Sequence, residues 1–274
     1  LSHEINSIEL IHRDKERNLI SEVYLSLLNR IGINIKSINH LSKIFYVENV
    51  SSSIALLFRS CISDVFLGHY LLLFKSDFNS FNGEIKIKDA EFLKYAKKVG
   101  YIEQYLLSNS PEDLDKREGE FLNIINNLFN DLIEDADTVS IKTLKLKSAK
   151  SIRQESQSKP EFLGDLFNKI PTEDDMFNQL LILDSKKEQH YKNVYILWRF
   201  YAQFQHYTFA GRNFTGSKKE DFLYYFIQSL MHCYYFTFML QGEVFKIQIK
   251  DLEIHLKEIV NLIKEYDQNR FNEN

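Results

Sequence analysis

Glycine and proline are scarce in this 274-residue chain, at 9 and 3, which argues against an all-β or loop-rich fold. Cysteine is scarcer still. Neither Cys61 nor Cys233 has a second Cys or a His at ligand spacing, so no zinc signature exists. Both lie inside apolar helical patterns, where a free thiol behaves as a small hydrophobe, and a cytoplasmic, reducing location is expected. No basic-then-apolar leader opens the sequence. There is no HExxH, paired Glu-x-x-His, glycine-rich phosphate loop or nucleophile elbow, so neither a metal nor a cofactor is expected. Charge of one sign is not in excess either: a net charge of −4 and a pI near 6.1 give no global pull toward nucleic acid or an anionic membrane. The most apolar run, Ile54 to Phe74, is interrupted by Arg59, Asp64 and His69, which point in three directions about a helix axis. A buried core helix is expected there, and no membrane span.

What the chain does have is aromatic bulk. It carries 22 Phe and 15 Tyr within 44% hydrophobic residues, enough for a sizeable core. Helix start signals recur: Ser110-Pro111-Glu112-Asp113 supplies an N-cap hydroxyl, a proline at the first helical position and acid in the first turn. Ser185 with Glu188, and Ser217 with Glu220, are spaced as capping boxes, and Thr172 opens a helix after Pro171. These signals predict an all-α fold, an irregular multi-helix bundle with little or no β structure, as a single domain over 1–274. Helices are expected at roughly 3–31, 37–48, 51–75, 88–107, 111–135, 139–156, 160–168, 172–183, 186–210, 217–241 and 248–270. Asn79 to Lys88 reads as a turn-like break, with a short hairpin at Gly83 to Lys88 the one place for β structure.

The stretch Tyr191 to Phe214 is the sharpest feature. On a helical wheel Lys192, Tyr195, Arg199, Gln203 and His206 form one polar stripe, with Arg199 and His206 about 20° apart. Val194, Leu197, Tyr201 and Phe204 form the opposite, apolar face. A guanidinium and an imidazole so placed suit phosphate handling or proton transfer, and equally a solvated bundle face. Arg59, surrounded by apolar neighbours and about 140° from Asp64, needs a partner on another helix. The segment 136–161 is a basic connector, in which Lys142, Lys145, Lys147, Lys150 and Arg153 make either a grip on nucleic-acid phosphates or a solvated face. His69 and His232 read as satisfied core residues. The run Phe222 to Leu240 reads as an aromatic core or a dimer seam.

Two blocks carry a resemblance. Ser51 to Phe74 is a small-residue turn leading into an apolar helix with one Arg and, five residues on, an acid. In Ile170 to Thr208, Pro171 and Thr172 precede Met176, a helix enters on Tyr191, and Ala202 stands four before His206. Together they resemble an uncharacterised bacterial family of helical proteins that is HEPN-like, similar to the nucleotide-binding and RNase domains of toxin and defence systems. The resemblance implies a HEPN-like helical core that dimerises, and a site drawn from Arg59, Arg199 and His206. Arg199 and His206 match the Arg-then-His spacing of HEPN ribonucleases. Phe200 and Ala202 stand where active members carry polar residues, so the implied function is a non-catalytic binding or scaffold module of a bacterial defence or stress system. The alternative is a metal-independent, toxin-like ribonuclease. A homodimer seamed by 194–209 or 222–240, RNA or a nucleotide as ligand, and an unidentified protein partner complete the expectations.

Overall fold

In a computed structural model, residues 1–13, 18–44, 50–134, 140–158, 163–205 and 219–272 are described, and among them the fold is an all-α multi-helix bundle without strands. The helices are α1 (Ser2–Arg13), α2 (Leu19–Ser42), α3 (Ser51–Leu72), α4 (Phe78–Leu107), α5 (Pro111–Phe129), α6 (Ala149–Glu155), α7 (Glu173–Leu183), α8 (Glu188–Ala202), α9 (Lys219–Glu243) and α10 (Lys250–Asn272). The chain divides into two compact units, Leu1–Leu73 with Glu173–Asn274, and Phe74–Thr172.

In the first unit α3 is the central helix, packed by α2, α7, α8 and α9. Its buried face includes Phe58, Ile62, Val65 and Phe66. Gly68 is glycine because α9 comes too close for anything larger: a Cβ built there would stand 2.1 Å from Phe236 Cζ. The buried Gly68 carbonyl also accepts a hydrogen bond from the Tyr24 hydroxyl of α2 at 3.1 Å. Phe58 stacks on Tyr201 with centroids 5.7 Å apart, and the Tyr201 hydroxyl bonds Ser229 Oγ of α9 at 2.9 Å. Ser51–Leu72 is long and apolar enough to cross a membrane by length and composition, yet 67% of its apolar window is buried in the fold. Asp64 turns away from Arg59 and pairs with Arg30 of α2 at 2.7 Å. Burial outweighs that cation and pushes the Asp64 carboxyl up to about 7. Cys61 and Cys233 are both free and buried, and the contact with Cys233 together with burial pushes the Cys61 thiol up, leaving it an inert core group.

The second unit wraps α5 and α6 onto α4 around Ile87, Leu93, Leu122, Ile125, Ile141 and Ile152. At its centre Arg153, 0% exposed, makes a two-pronged pair with Glu84: Nε to Oε1 at 2.7 Å and Nη2 to Oε2 at 3.0 Å. Its remaining nitrogen donates to the carbonyls of Leu166 and Lys169. Planar bidentate geometry and two further acceptors are what a buried guanidinium requires.

Several sequence expectations are corrected. The break and hairpin at Asn79 to Lys88 do not form; α4 runs unbroken from Phe78, because Asp77 caps it through the Asn79 and Ser80 amides at 3.1 and 3.3 Å. Ile85 and Ile87 alternate with lysines over too few residues to outweigh a helix whose Phe81, Glu84 and Ile87 turn into the core. The expected 3–31 helix is two helices, and the expected 139–156 helix shrinks to α6, preceded by a lone antiparallel bridge between Ile133 and Leu146. Ser110 caps α5 as expected, accepting from the Asp113 amide at 3.2 Å. Ser185 does not cap α8: a 3₁₀ turn over Ser185–Lys187 intervenes, and the helix starts without a side-chain cap. Ser217 lies outside the described residues.

Candidate functional site

Helix α8 delivers its two predicted faces. Val194, Leu197 and Tyr201 are buried against the first unit's core, which leaves Tyr195 and Trp198 half-buried and Arg199 exposed. Phe200, offset from the buried line, stacks on Tyr225 of α9 at 4.0 Å and does not face the polar stripe. The α-helical register that would align Arg199 with His206 stops at Ala202, and a 3₁₀ turn follows over Gln203–Gln205. His206 lies outside the described residues.

Arg59 and Arg199 are brought together by a residue that the stripe did not single out. The Arg59 guanidinium, arriving from α3, lies over the Trp198 ring at 5.4 Å, and that of Arg199 lies over the same ring at 5.7 Å. Arg199 also sits over Tyr195 at 5.4 Å and donates through Nε to its hydroxyl at 3.0 Å. The Tyr195 hydroxyl in turn donates to Asp174 Oδ1 of α7 at 2.8 Å, and the Arg199–Asp174 ion pair spans 3.8 Å between exposed groups. Phe177 stacks on Tyr195 at 4.2 Å and 8°, and Tyr195 on Trp198 at 6.0 Å and 20°. The result is a ladder of three nearly parallel rings with two cations on its last rung.

Burial lowers the Arg59 guanidinium below its ordinary value, and the charge of Glu173 opposes that shift. Arg59 Nη1 and Trp198 Nε1 are both buried and have no hydrogen-bond partner among the described residues. Burial, then the bond to Asp174, raises the Tyr195 hydroxyl, while Arg199 lowers it. Cation–π contact with an indole is favourable by about 0.5–2 kcal/mol, so the rings hold the guanidiniums without consuming all their donors.

A second cluster was missed. His69 of α3, His190 of α8 and His232 of α9 meet inside the first unit: His69 Nε2 and His190 Nε2 share a hydrogen bond of 2.9 Å, and the His190 and His232 rings stand 4.9 Å apart. His69 is therefore satisfied only in part, since among the described residues its Nδ1 is orphaned and His232 has no partner at either nitrogen. This corrects the expectation of two satisfied core residues. Burial drives all three downward, His190 to about 4 and His232 to about 3, with Lys187 adding to the shift at His69 and His190. The trio is not a metal cage: among the described residues no three His, Cys, Asp or Glu groups are placed to hold an ion. No spacing rule joins residues from three separate helices, so the sequence offered no signal for this cluster.

The basic connector separates into different roles. Arg153 is the buried partner of Glu84 and is out of reach of any ligand, which removes it from the expected phosphate grip. Lys142 lies over the Tyr101 ring at 4.4 Å, and Lys147 pairs with Glu155 at 2.8 Å. Lys145 and Lys150 are exposed. Comparison of the chain with family models, with curated proteins and with solved structures finds no match in any of the three.

Proposed function

We propose that this chain is a helical binding module that takes a phosphate-bearing, single-stranded ligand, RNA or a nucleotide, on the Phe177–Tyr195–Trp198 ladder and carries out no chemistry on it. The observation that carries this is the pair of guanidiniums on one indole with two buried donors, Arg59 Nη1 and Trp198 Nε1, left unpaired among the described residues. An unsatisfied buried donor costs about 1–3 kcal/mol, which a phosphate or base-edge oxygen relieves. Nearly parallel rings are faces on which bases stack, whatever their sequence. The Arg199–Asp174 pair is long and solvated, worth about 0–1 kcal/mol, so a phosphate can take the place of the carboxylate. Phe200, turned into the helix packing, supplies no polar group beside Arg199. A HEPN-like place in a bacterial defence or stress system belongs to the same proposal and rests on the two resembling sequence blocks.

Trp198 is the only tryptophan in the chain, so its emission reports on this site alone. Titration with short single-stranded RNA should quench it saturably and weaken with added salt. Arg59→Ala and Arg199→Ala should each reduce affinity about tenfold or more, as expected for a charge-assisted hydrogen bond. Emission that ignores millimolar nucleotide and RNA alike would sink the proposal. The convergence of Arg59 and Arg199 on one ring also favours a second reading, a metal-independent ribonuclease in which both cations stabilise the phosphate and His206 moves the proton. RNA cleavage in the presence of chelator, abolished by His206→Ala with the melting temperature unchanged, would replace the binding module with that enzyme.

A further inference from the structure

Helix α4 is apolar on two opposite faces. One carries Ile87, Ala90 and Leu93 into the core of the second unit. The other carries Phe92, Tyr95, Val99, Ile102 and Leu106, which are 62, 64, 62, 50 and 72% exposed. The two faces lie about 180° apart around the axis. Exposed apolar side chains are ordinary when scattered; five aligned along about 21 Å of one helix are not. Their 3-4-3-4 spacing is the a–d alternation of a coiled-coil seam across two heptads. A shallow groove along it is lined by Val99, Ile102, Glu103, Leu106 and Leu107.

We infer that this stripe is the seam of a homodimer, in which the α4 helices of two copies lie side by side and parallel about a two-fold axis. Charge points to a second copy of the same chain. With Phe92, Val99 and Leu106 at a, and Tyr95 and Ile102 at d, Lys98 falls at g and Glu103 at the following e, and both are exposed. Parallel pairing sets each g against the e five residues later in the other helix, so Lys98 meets Glu103 across the seam twice. Antiparallel pairing, in the registers that overlap most of the stripe, sets Lys98 against its own counterpart or against Tyr105 and leaves the charges unmatched. Area agrees. The five side chains expose on the order of 100 Å² each, which gives about 1,000 Å² or more over two copies, the size at which a specific interface begins. The opposite face of α4 is already fixed by its own core, so docking orders little that is not ordered beforehand.

Sedimentation velocity of the full chain at about 50 μM should show a dimer, within reach of a modest interface. Val99→Glu combined with Ile102→Glu should yield a monomer with unchanged far-UV circular dichroism, since both positions face solvent in the single chain. A wild-type monomer at that concentration, or a dimer indifferent to the double substitution, would overturn the seam. Lys98→Glu should weaken association about tenfold, and adding Glu103→Lys should restore it. Val99→Cys, at an a position that faces its counterpart in a parallel pair, should give a disulfide-linked dimer under mild oxidation. Failure of both the charge restoration and the cross-link would overturn the parallel arrangement.

Discussion

Arg153 and Arg59 are both arginines in apolar helical surroundings, and the fold treats them in opposite ways. Arg153 spends its guanidinium on Glu84 and two carbonyls, all buried. Arg153→Ala strands the Glu84 carboxylate in the core and should cost about 3–5 kcal/mol, measured as a drop in the urea midpoint with unchanged slope. A loss below about 1 kcal/mol would show that water reaches the pair. Arg59 keeps a donor in reserve beside Trp198. The sequence could announce that Arg59 needs a partner from another helix, because its own helix offers none. It could not tell that Arg153, in a run rich in lysine, faces inward, since one basic residue among several shows no periodicity of its own. Trp198 was legible only in retrospect: it precedes Arg199 and falls one turn after Tyr195, but a wheel drawn for polarity assigns an indole to neither face.

Among the elements, α3 and α9 are fixed to each other by the absence of one side chain. Gly68→Ala places a methyl where the Phe236 ring now lies. The variant should lose about 1–3 kcal/mol as the ring is displaced, and thermal unfolding followed by circular dichroism would measure it. An unchanged melting temperature would mean that Phe236 has room to turn aside. Helix existence was legible almost throughout, as were the starts at Ser110 and after Thr172, and at Ser110 the reason is that capping is chemistry within a few residues of sequence. What failed is instructive in the same terms. Asn79 to Lys88 carries turn residues, yet Asp77 nucleates a helix through it and the core accepts Phe81 and Glu84 on the inner side. The paired aromatic helices were expected to have surface to spare for a partner. Of their side chains, Tyr191, Val194, Leu197 and Tyr201 of α8, and Phe222, Phe236 and Leu240 of α9, are buried within the chain itself, whereas Ile196 and Leu223 are exposed.

For the whole molecule, the response to pH follows from which groups are buried uncharged. His69, His190 and His232 stay neutral when folded and take up protons on unfolding below their ordinary value of about 6.5, so their contribution is fully present above that pH and shrinks as pH falls toward 4 and 3. Asp64 works the other way between about 4 and 7, where the folded form holds the extra proton and stability falls as pH rises. Three groups outweigh one, so the urea midpoint should be lower at pH 5 than at pH 7. His232→Leu should flatten that difference and cost little at pH 7, because neither imidazole nitrogen has a partner to lose among the described residues. A profile equally steep in the variant would show that His232 takes no part. The division into two units left no mark in composition, since no linker of glycine, proline or serine separates them. The second is an insertion: the chain leaves the first unit after Leu73 and re-enters it at Glu173, with the Pro171 carbonyl accepting from Lys88 of α4 at 2.9 Å just before the return. On the ribosome this fixes an order of events. Every residue of the inserted unit exists once Thr172 has been made, whereas Phe236, the ring that seats on Gly68, is still 64 residues away. At about 5–20 residues per second, the part of α3 that α9 covers waits some 3 to 13 seconds for its partner, and that interval is when the nascent chain is most in need of a chaperone.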